Sequence, residues 1–177
     1  VAREAASIRE VDHLLEVVAH QIADRFGFYH VGVYLIDDAR RWARMRASSS
    51  GGGERLLERG FRMAVGASGI IGNVAATGEP RIVLDVTEDP RYLAVSELPD
   101  TRSEMSLPLR MRGEVIGVLD VQSEKPAFFS QDDVAYLQIM ADQIGLAIEN
   151  AHLLDEAERR IQEIGLLVLH QQQEGWR

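Results

Sequence analysis

Apolar residues near the start of the chain recur at the spacing of an amphipathic helix. Five of them are separated by alternating three- and four-residue steps: Ile8, Val11, Leu15, Val18 and Ile22. Residues at these steps share one face of a helix. Ser7 and Glu10 have the spacing of a capping box, so the pattern predicts a helix from Ser7 to about Phe26.

Six β-rich runs follow, and four of them are arranged as two hairpins. Residues 29–37 and 41–49 flank a polar turn, and residues 103–124 contain two runs on either side of a turn. Single runs occupy residues 61–65 and 81–85. Enrichment in β-branched and aromatic residues between turn-forming residues predicts strands.

The segments between these runs are predicted to be a loop, a short helix and a long connection. Residues 48–57, SSSGGGERLL, have the composition of a flexible loop. Ser68 is predicted to cap a short helix that Gly78 ends. Residues 86–102 are rich in Pro, Asp, Glu and Ser. Connections of this length are associated with lids and binding loops.

The last segment has the pattern of a long helix. It begins at Ser130, which forms a capping box with Asp133, and it continues to about Leu169. Helices at both ends of the chain with hairpins between them predict an α+β fold. We expect an antiparallel sheet with the terminal helices on one face and with loops and the short helix over the other.

The long helix carries two apolar faces. The first is suited to packing on a sheet: Leu137, Ala141, Ile144, Ile148 and Ala151. The second keeps heptad spacing and predicts a dimer seam: Ala147, Asn150, Leu154, Ala157, Ile161, Ile164 and Val168. The alternative is a surface helix that packs on its own domain.

The second strand of the last hairpin holds an acid and an amide among its valines. Strand alternation places Asp120 and Gln122 on one face, together with Ile116. A buried carboxylate without partners is costly, so we expect this face to border a polar pocket. The alternative is an ion pair of Asp120 with Arg102 or Arg81 that only holds a loop.

Composition excludes several kinds of function. An apolar share of 46% is enough for a core, while 19 basic and 28 acidic residues give a formal net charge of −9. This charge disfavours nucleic acid and anionic membranes as partners. The chain has no cysteine, which excludes disulfides, thiolate metal sites and thiol catalysis.

The chain has no apolar run long enough to cross a bilayer and no signal peptide, so a cytoplasmic location is expected. It begins at Val1 rather than at a methionine and ends in HQQQEGWR. These ends predict that the sequence is a piece of a longer protein.

Several motifs together resemble those of GAF domains. They are DRFGFYHVGVYLID, GIIGNVAATGEP, LDVTEDPRY and the stretch from SEMSLPLRM to GLAIENA. The resemblance covers about Ile8 to Leu154. It implies a six-stranded antiparallel sheet between a helical layer and a loop-roofed pocket. It also implies an input module of a bacterial signalling protein, ahead of an output such as a histidine kinase or diguanylate cyclase.

On this resemblance, residues 1–154 are a GAF domain and residues 155–177 a connector helix that leads to the output domain. We predict a non-enzymatic sensor that binds a small molecule, forms a homodimer through its terminal helices and relays a signal through the last helix. A ligand-free dimerisation and spacer module is the alternative. No metal or cofactor is expected.

The resemblance also narrows the ligand. The cyclic-nucleotide subgroup has an Asn-Lys pair where this chain has Gln122-Ser123, and a Glu where it has Val134. Relatives that bind bilins or reduce methionine sulfoxide use cysteine, which is absent. Haem-binding relatives use a histidine, and all five histidines are interpreted as surface or helix-flanking residues: His13, His20, His30, His152 and His170.

The resemblance places the pocket between the short helix, the 86–102 connection and the sheet face opposite the terminal helices. Eight polar residues border this region and are predicted to bind the ligand: Arg81, Asp85, Tyr92, Arg102, Glu104, Ser106, Asp120 and Gln122.

Overall fold

The computed structural model describes the backbone of residues 2–66 and 69–174 and the side chains of residues 8–66 and 69–167. Helices and strands follow in the order α1 (Ala2–Phe26), β1 (His30–Ile36), β2 (Trp42–Ser48), α2 (Gly51–Glu58), β3 (Arg62–Ala64), α3 (Gly69–Thr77), β4 (Arg81–Val83), β5 (Ser103–Met111), β6 (Glu114–Ser123) and α4 (Gln131–Glu174).

The six strands form one antiparallel sheet in the order β3-β2-β1-β6-β5-β4. The two longest strands, β5 and β6, pair with each other inside the sheet. The edge strands β3 and β4 are three residues long each. The predicted α+β class with a sheet of six antiparallel strands is confirmed.

Helices α1 and α4 cover one face of this sheet. Leu15 and Ile22 of α1 and Leu137 of α4 pack with Leu107 and Leu119 of the central strands, and none of the five is more than 2% exposed. Full burial of such a side chain contributes about 1.5–3 kcal/mol. Apolar packing therefore holds both terminal helices on the sheet.

Helices α2 and α3 and the connection between β4 and β5 cover the opposite face. Tyr34 and Val118 of the sheet pack here with Leu56 of α2 and Val74 of α3. The sheet is thus buried on both faces, as the sequence predicts.

The prediction of a flexible loop at residues 48–57 is wrong, because α2 begins within it. Ser50 caps this helix, and its Oγ accepts a hydrogen bond of 3.1 Å from the N–H of Gly53. A Cβ atom added at Gly52 would lie 2.1 Å from the carbonyl oxygen of Glu97. The glycines therefore permit close packing of α2 against the connection, and Leu56 anchors the helix in the core.

The boundaries of the terminal helices differ in part from the prediction. α1 begins at Ala2, upstream of Ser7. α4 begins next to its predicted cap, where Asp133 Oδ2 accepts a 2.7 Å hydrogen bond from the N–H of Ser130. The predicted cap Ser68 of α3 lies outside the described residues. Within the described residues, no helix has the length and apolar composition needed to cross a membrane.

The hairpin of β5 and β6 contains a β-bulge. Leu109 pairs with Gly117, and Arg110 then pairs with Val115, which leaves Ile116 as an extra residue. Ile116 packs against the helical layer. Its predicted position on the pocket face is therefore wrong.

Candidate ligand-binding site

Strand register gathers five of the predicted site residues on one face of the sheet: Arg81 of β4 lies opposite Ser106, and the other four lie on β5 and β6. Glu104 of β5 lies opposite Gln122 of β6, and Ser106 lies opposite Asp120. Their neighbours Met105 and Leu107 point into the core under α1 and α4. The four polar side chains therefore face α2, α3 and the connection, as strand alternation predicts.

These side chains form one hydrogen-bonded network. Asp120 Oδ1 accepts a hydrogen bond of 2.6 Å from Ser106 Oγ, and Asp120 Oδ2 accepts one of 2.7 Å from Gln122 Nε2. Gln122 Oε1 in turn accepts a hydrogen bond of 2.6 Å from Thr101 Oγ1. All members are buried. The network fixes the side chains that border the roofed face.

Glu104 and Asp120 are two buried carboxyl groups whose pKa values depend on each other. Burial raises the pKa of Glu104 well above its ordinary value, and repulsion from the Asp120 carboxylate raises it further. Burial also raises the pKa of Asp120, whereas hydrogen bonds from Glu104, Ser106 and Gln122 oppose that rise. Glu104 is thus the protonated partner that donates to the Asp120 carboxylate.

The charge of this pair is not neutralised by an arginine. Arg81 Nη2 lies 2.6 Å from Asp89 Oδ2, and Arg102 Nη2 lies 3.1 Å from Asp85 Oδ2. Neither guanidinium therefore forms the ion pair with Asp120 that was the alternative to a pocket. Among the described residues, Asp120 accepts its hydrogen bonds from neutral side chains.

A small cavity lies against this network. Its volume is about 20 Å³, and Glu104 and Gln122 line it together with the rings of Tyr34 and Tyr92. This is room for about one water molecule. Burial raises the pKa of Tyr92 to about 12, so the phenol stays neutral. The site is closed in this conformation.

The connection between β4 and β5, residues 84–102, forms the roof of the cavity. Tyr92, Leu93 and Val95 line the cavity from above. Leu98 is buried, and Glu97 Oε1 lies 2.7 Å from Arg59 Nε of α2. The long connection thus lies over the site and is held by the buried side chains of Val86 and Leu98 and by several ion pairs, among them Arg59–Glu97 and Arg81–Asp89.

The eight predicted binding residues divide into two groups. Tyr92, Glu104 and Gln122 line the cavity, and Ser106 and Asp120 support them from the same sheet face. The other three form ion pairs at the border of the roof: Arg81, Asp85 and Arg102. Their predicted contact with a ligand therefore requires the roof to move.

Sequence reasoning missed His30, which is fully buried rather than a surface residue. Strand register places it opposite Gln122, on the same face as the acid–amide network. His30 Nδ1 lies 2.8 Å from Ser50 Oγ, whereas Nε2 has no partner. Burial lowers the pKa of His30 to about 4, so the ring is neutral. Val31 packs under the terminal helices, so strand alternation places the neighbouring His30 on the opposite face of the sheet, which is also covered. This was the signal in the sequence that His30 is buried.

The other histidines whose side chains are described do not line the cavity. His13 and His152 are exposed, and His20 Nδ1 hydrogen-bonds to the carbonyl of Glu16 in its own helix. His170 lies outside the residues whose side chains are described. In the described part of the chain, no three His, Cys, Asp or Glu side chains are grouped as metal ligands.

Helix α4 presents an apolar surface away from the sheet. An apolar groove of about 260 Å³ lies between α1 and α4, where Leu14 and Val18 face Met140 and Ala147. Further along, the predicted seam residues Asn150, Leu154, Ala157, Ile161 and Ile164 are exposed, and Val168 lies outside the described side chains. Over the described residues 150–164 these side chains do not pack on the domain, contrary to that alternative.

Known proteins share this architecture. The family described as "GAF domain" matches residues 9–149. GAF domain-containing protein A of Dictyostelium discoideum is 30% identical over 128 residues, which are 72% of this chain and 74% of that protein. The Nif-specific regulatory protein of Azospirillum lipoferum is 25% identical over 167 residues, which are 90% of this chain but 26% of that protein.

A solved structure of another protein has a similar fold. The free methionine-R-sulfoxide reductase of Neisseria meningitidis, in complex with its substrate, superposes with a TM-score of 0.68 and 26% identity. The superposition covers 83% of this chain and 89% of that one. The match of sequence over residues 9–149 and the shared fold agree, and the chain belongs to the GAF domain family.

Proposed function

We propose that this GAF domain is a non-enzymatic sensor that binds a small molecule between the polar sheet face and its roof. One observation carries the proposal: Glu104 and Asp120 are buried side by side at a roofed cavity, and Asp120 has no basic partner among the described residues. A buried carboxylate without a cation is costly to a fold. A ligand that supplies the cation removes this cost.

The ligand that suits this pair carries an ammonium group or several hydrogen-bond donors. Such a group compensates the Asp120 carboxylate, and Tyr34 and Tyr92 add aromatic faces that attract cations. The structurally similar reductase, solved with its substrate, supports small-molecule binding on this fold. Since this chain has no cysteine, thiol-dependent reduction is not open to it, which favours sensing.

Binding requires the roof to open. Small-molecule pockets have volumes of about 300–1,000 Å³, far above the cavity of about 20 Å³. The roof segment that lines the cavity, residues 92–95, has no regular secondary structure. It lies between the anchors Val86 and Asp89 on one side and Glu97 and Leu98 on the other, and outward movement of the segment between these anchors is the route we propose for a ligand.

Strand β5 gives a direct route from the site to α4. Its first half carries Glu104 and Ser106, and its second half supports α4. A Cβ atom added at Gly145 of α4 would lie 2.1 Å from the carbonyl oxygen of Arg110. Gln138 Nε2 also donates a hydrogen bond of 3.1 Å to the carbonyl of Pro108. A shift of β5 on ligand binding therefore moves α4, the proposed connector to an output domain.

The apolar surface of α1 and α4 suits a second copy of the chain. The groove between the helices continues into the exposed strip of Leu154, Ile161 and Ile164. Heptad spacing along this strip is that of a coiled coil. A homodimer with paired α4 helices would bury it, and ligand-induced movement of α4 would then reach an output such as a histidine kinase or diguanylate cyclase.

The test is a thermal-shift screen of the 177-residue chain, followed by calorimetric titration of the hits. The panel contains amino acids, primary amines and polyamines, each beside its N-acetylated form. Ligand at a hundredfold excess over Kd stabilises by about 2.7 kcal/mol, and this corresponds to a rise in Tm of about 5–10 °C for a domain of this size.

The variants Asp120→Asn and Glu104→Gln test the site, and Asp38→Asn in the exposed turn between β1 and β2 is the control. We expect both site variants to lose the response to free amines and the control to keep it. If no panel member stabilises the protein, or if Asp120→Asn responds as the parent does, the alternative of a ligand-free dimerisation and spacer module is favoured.

A further inference from the structure

Basic residues are concentrated in one segment of this acidic chain. Residues 40–62 contain seven arginines and two acidic residues, whereas the rest of the chain contains 12 basic and 26 acidic residues. The formal net charge of the whole is −9. The segment therefore forms a positive region on a protein whose other surface is negative.

Two of these arginines lie directly opposite each other at the edge of the sheet. Arg44 of β2 and Arg62 of β3 are paired across the strands, and both are exposed. Their neighbours Ala43 and Met45 point into the core on the roofed side. The two guanidinium groups therefore lie on the opposite face from the roofed side, beside Trp42.

Trp42 orients one of the pair. The Arg62 guanidinium carbon lies 3.9 Å from the centre of the Trp42 ring. Stacking of this kind holds a guanidinium by its face and leaves its N–H groups directed outward. Arg62 is thus held ready to donate hydrogen bonds.

Arg44 and Arg62 lack the ion pairs with carboxylates that Arg46 and Arg59 form. Arg46 Nη2 lies 2.7 Å from Asp12, and Arg59 Nε lies 2.7 Å from Glu97. Among the described residues, neither Arg44 nor Arg62 forms an ion pair. Asp37 of the same hairpin uses Oδ1 to accept hydrogen bonds from the backbone N–H groups of Arg41 and Trp42. These hydrogen bonds, and to a smaller extent the charges of Arg44 and Arg41, lower the pKa of Asp37.

Like charges directly opposite each other destabilise a sheet, so this arrangement is unfavourable for the fold taken alone. We propose that Arg44, Arg62 and Trp42 form a docking surface for a short acidic segment of a partner protein. The outward N–H groups of the two guanidiniums match the oxygens of Asp and Glu carboxylates. Trp42 contacts the aliphatic part of the same segment.

The charge distribution restricts the partner to a short segment. Two arginines with Arg41 beside them cover a few residues of an extended peptide, and the chain outside residues 40–62 carries an excess of acidic residues. A long polyanion such as nucleic acid would meet this repulsion on both sides. An Asp/Glu-rich peptide of a few residues would not.

Fluorescence anisotropy of the 177-residue chain tests the proposal with a labelled Glu-rich decapeptide at low and physiological salt. The comparison peptides have Gln or phosphoserine in place of Glu. The test variant is Arg44→Gln/Arg62→Gln. The matched control is Arg25→Gln/Arg160→Gln, which makes the same change of net charge at exposed positions away from the patch.

We expect the test variant to lower affinity for the Glu peptide about tenfold, since exposed charge contacts are worth at most a few-fold each. We expect the control to change affinity less than twofold. Thermal unfolding of the test variant should match or exceed that of the parent, because the repulsion is removed. This result separates loss of binding from loss of folding.

An equal loss of affinity in the test variant and the control variant would overturn the proposal. It would show that the Glu peptide is attracted only by the net charge of the protein. Binding of the phosphoserine peptide alone, or no binding of the Glu peptide at low salt, would also overturn it. The amine-responsive site is unaffected by these arginines, so its thermal-shift response separates failure of this proposal from failure of the sensor function.

Discussion

The raised pKa of Glu104 makes stability depend on pH in an unusual direction. Glu104 has an unfolded pKa of about 4.5, and burial raises its native pKa well above that value. Between these two pKa values the native state binds a proton that the unfolded state has released. Stability from this group is therefore full below about pH 4.5 and decreases as pH rises.

The substitution Glu104→Gln removes this proton and keeps an N–H donor for Asp120. One proton bound only in the native state changes the free energy of unfolding by about 1.4 kcal/mol per pH unit. We expect the stability of the variant relative to the parent to rise by up to this amount per unit from pH 5 upward. The rise ends where pH exceeds the native pKa.

The assay is urea unfolding, followed by circular dichroism, of parent and variant at pH 5, 6, 7 and 8. Glu58→Gln on the exposed end of α2 is the control, and its difference from the parent should not depend on pH. A constant difference between Glu104→Gln and the parent across this range would show that Glu104 is ionised in the native state, and the reasoning would fail.

Three further predictions concern packing and association. Gly145→Ala places a methyl group 2.1 Å from a carbonyl oxygen of β5, and we expect it to lower the free energy of unfolding in urea by about 1–3 kcal/mol. In the control Gly165→Ala the methyl group meets no neighbour, and we expect it to raise the free energy of unfolding by up to about 1 kcal/mol. Equal effects of the two substitutions would exclude tight packing of α4 on β5. Leu56→Ala should cost about 2–5 kcal/mol, and a cost below about 1 kcal/mol would contradict the anchoring role of α2. Ile161→Asp should shift sedimentation equilibrium from dimer to monomer while Gln162→Asp should not; a monomeric parent at high micromolar concentration would refute the seam.

The sheet and its polar face could be predicted because both follow from local periodicity. Alternation along β6 alone placed Asp120 and Gln122 on one face, and this needed no knowledge of distant contacts. The position of Ile116 was missed because a bulge changes the register of one strand relative to its partner. The residue pattern of one strand does not show how that strand pairs with its neighbour, so a bulge cannot be located from it.

The features that were not predicted depend on tertiary contacts, which cannot be deduced from composition. The run SSSGGG was interpreted as a loop because glycine favours flexibility, yet its lack of side chains is what lets α2 approach the roof. His30 was assigned to the surface because polar residues usually are exposed. The alternative ion pair of Asp120 with Arg81 or Arg102 does not form, because the roof acids Asp89 and Asp85 pair with these arginines instead.

The two short edge strands have a consequence for how copies of this domain meet. An exposed edge of three residues offers few free backbone groups for pairing with another chain. Strand exchange and fibril-like stacking are thus disfavoured even at high local concentration, for instance when several domains share one polypeptide or one signalling array. Contacts between neighbours are left to side chains on the helices, where single substitutions can adjust their strength.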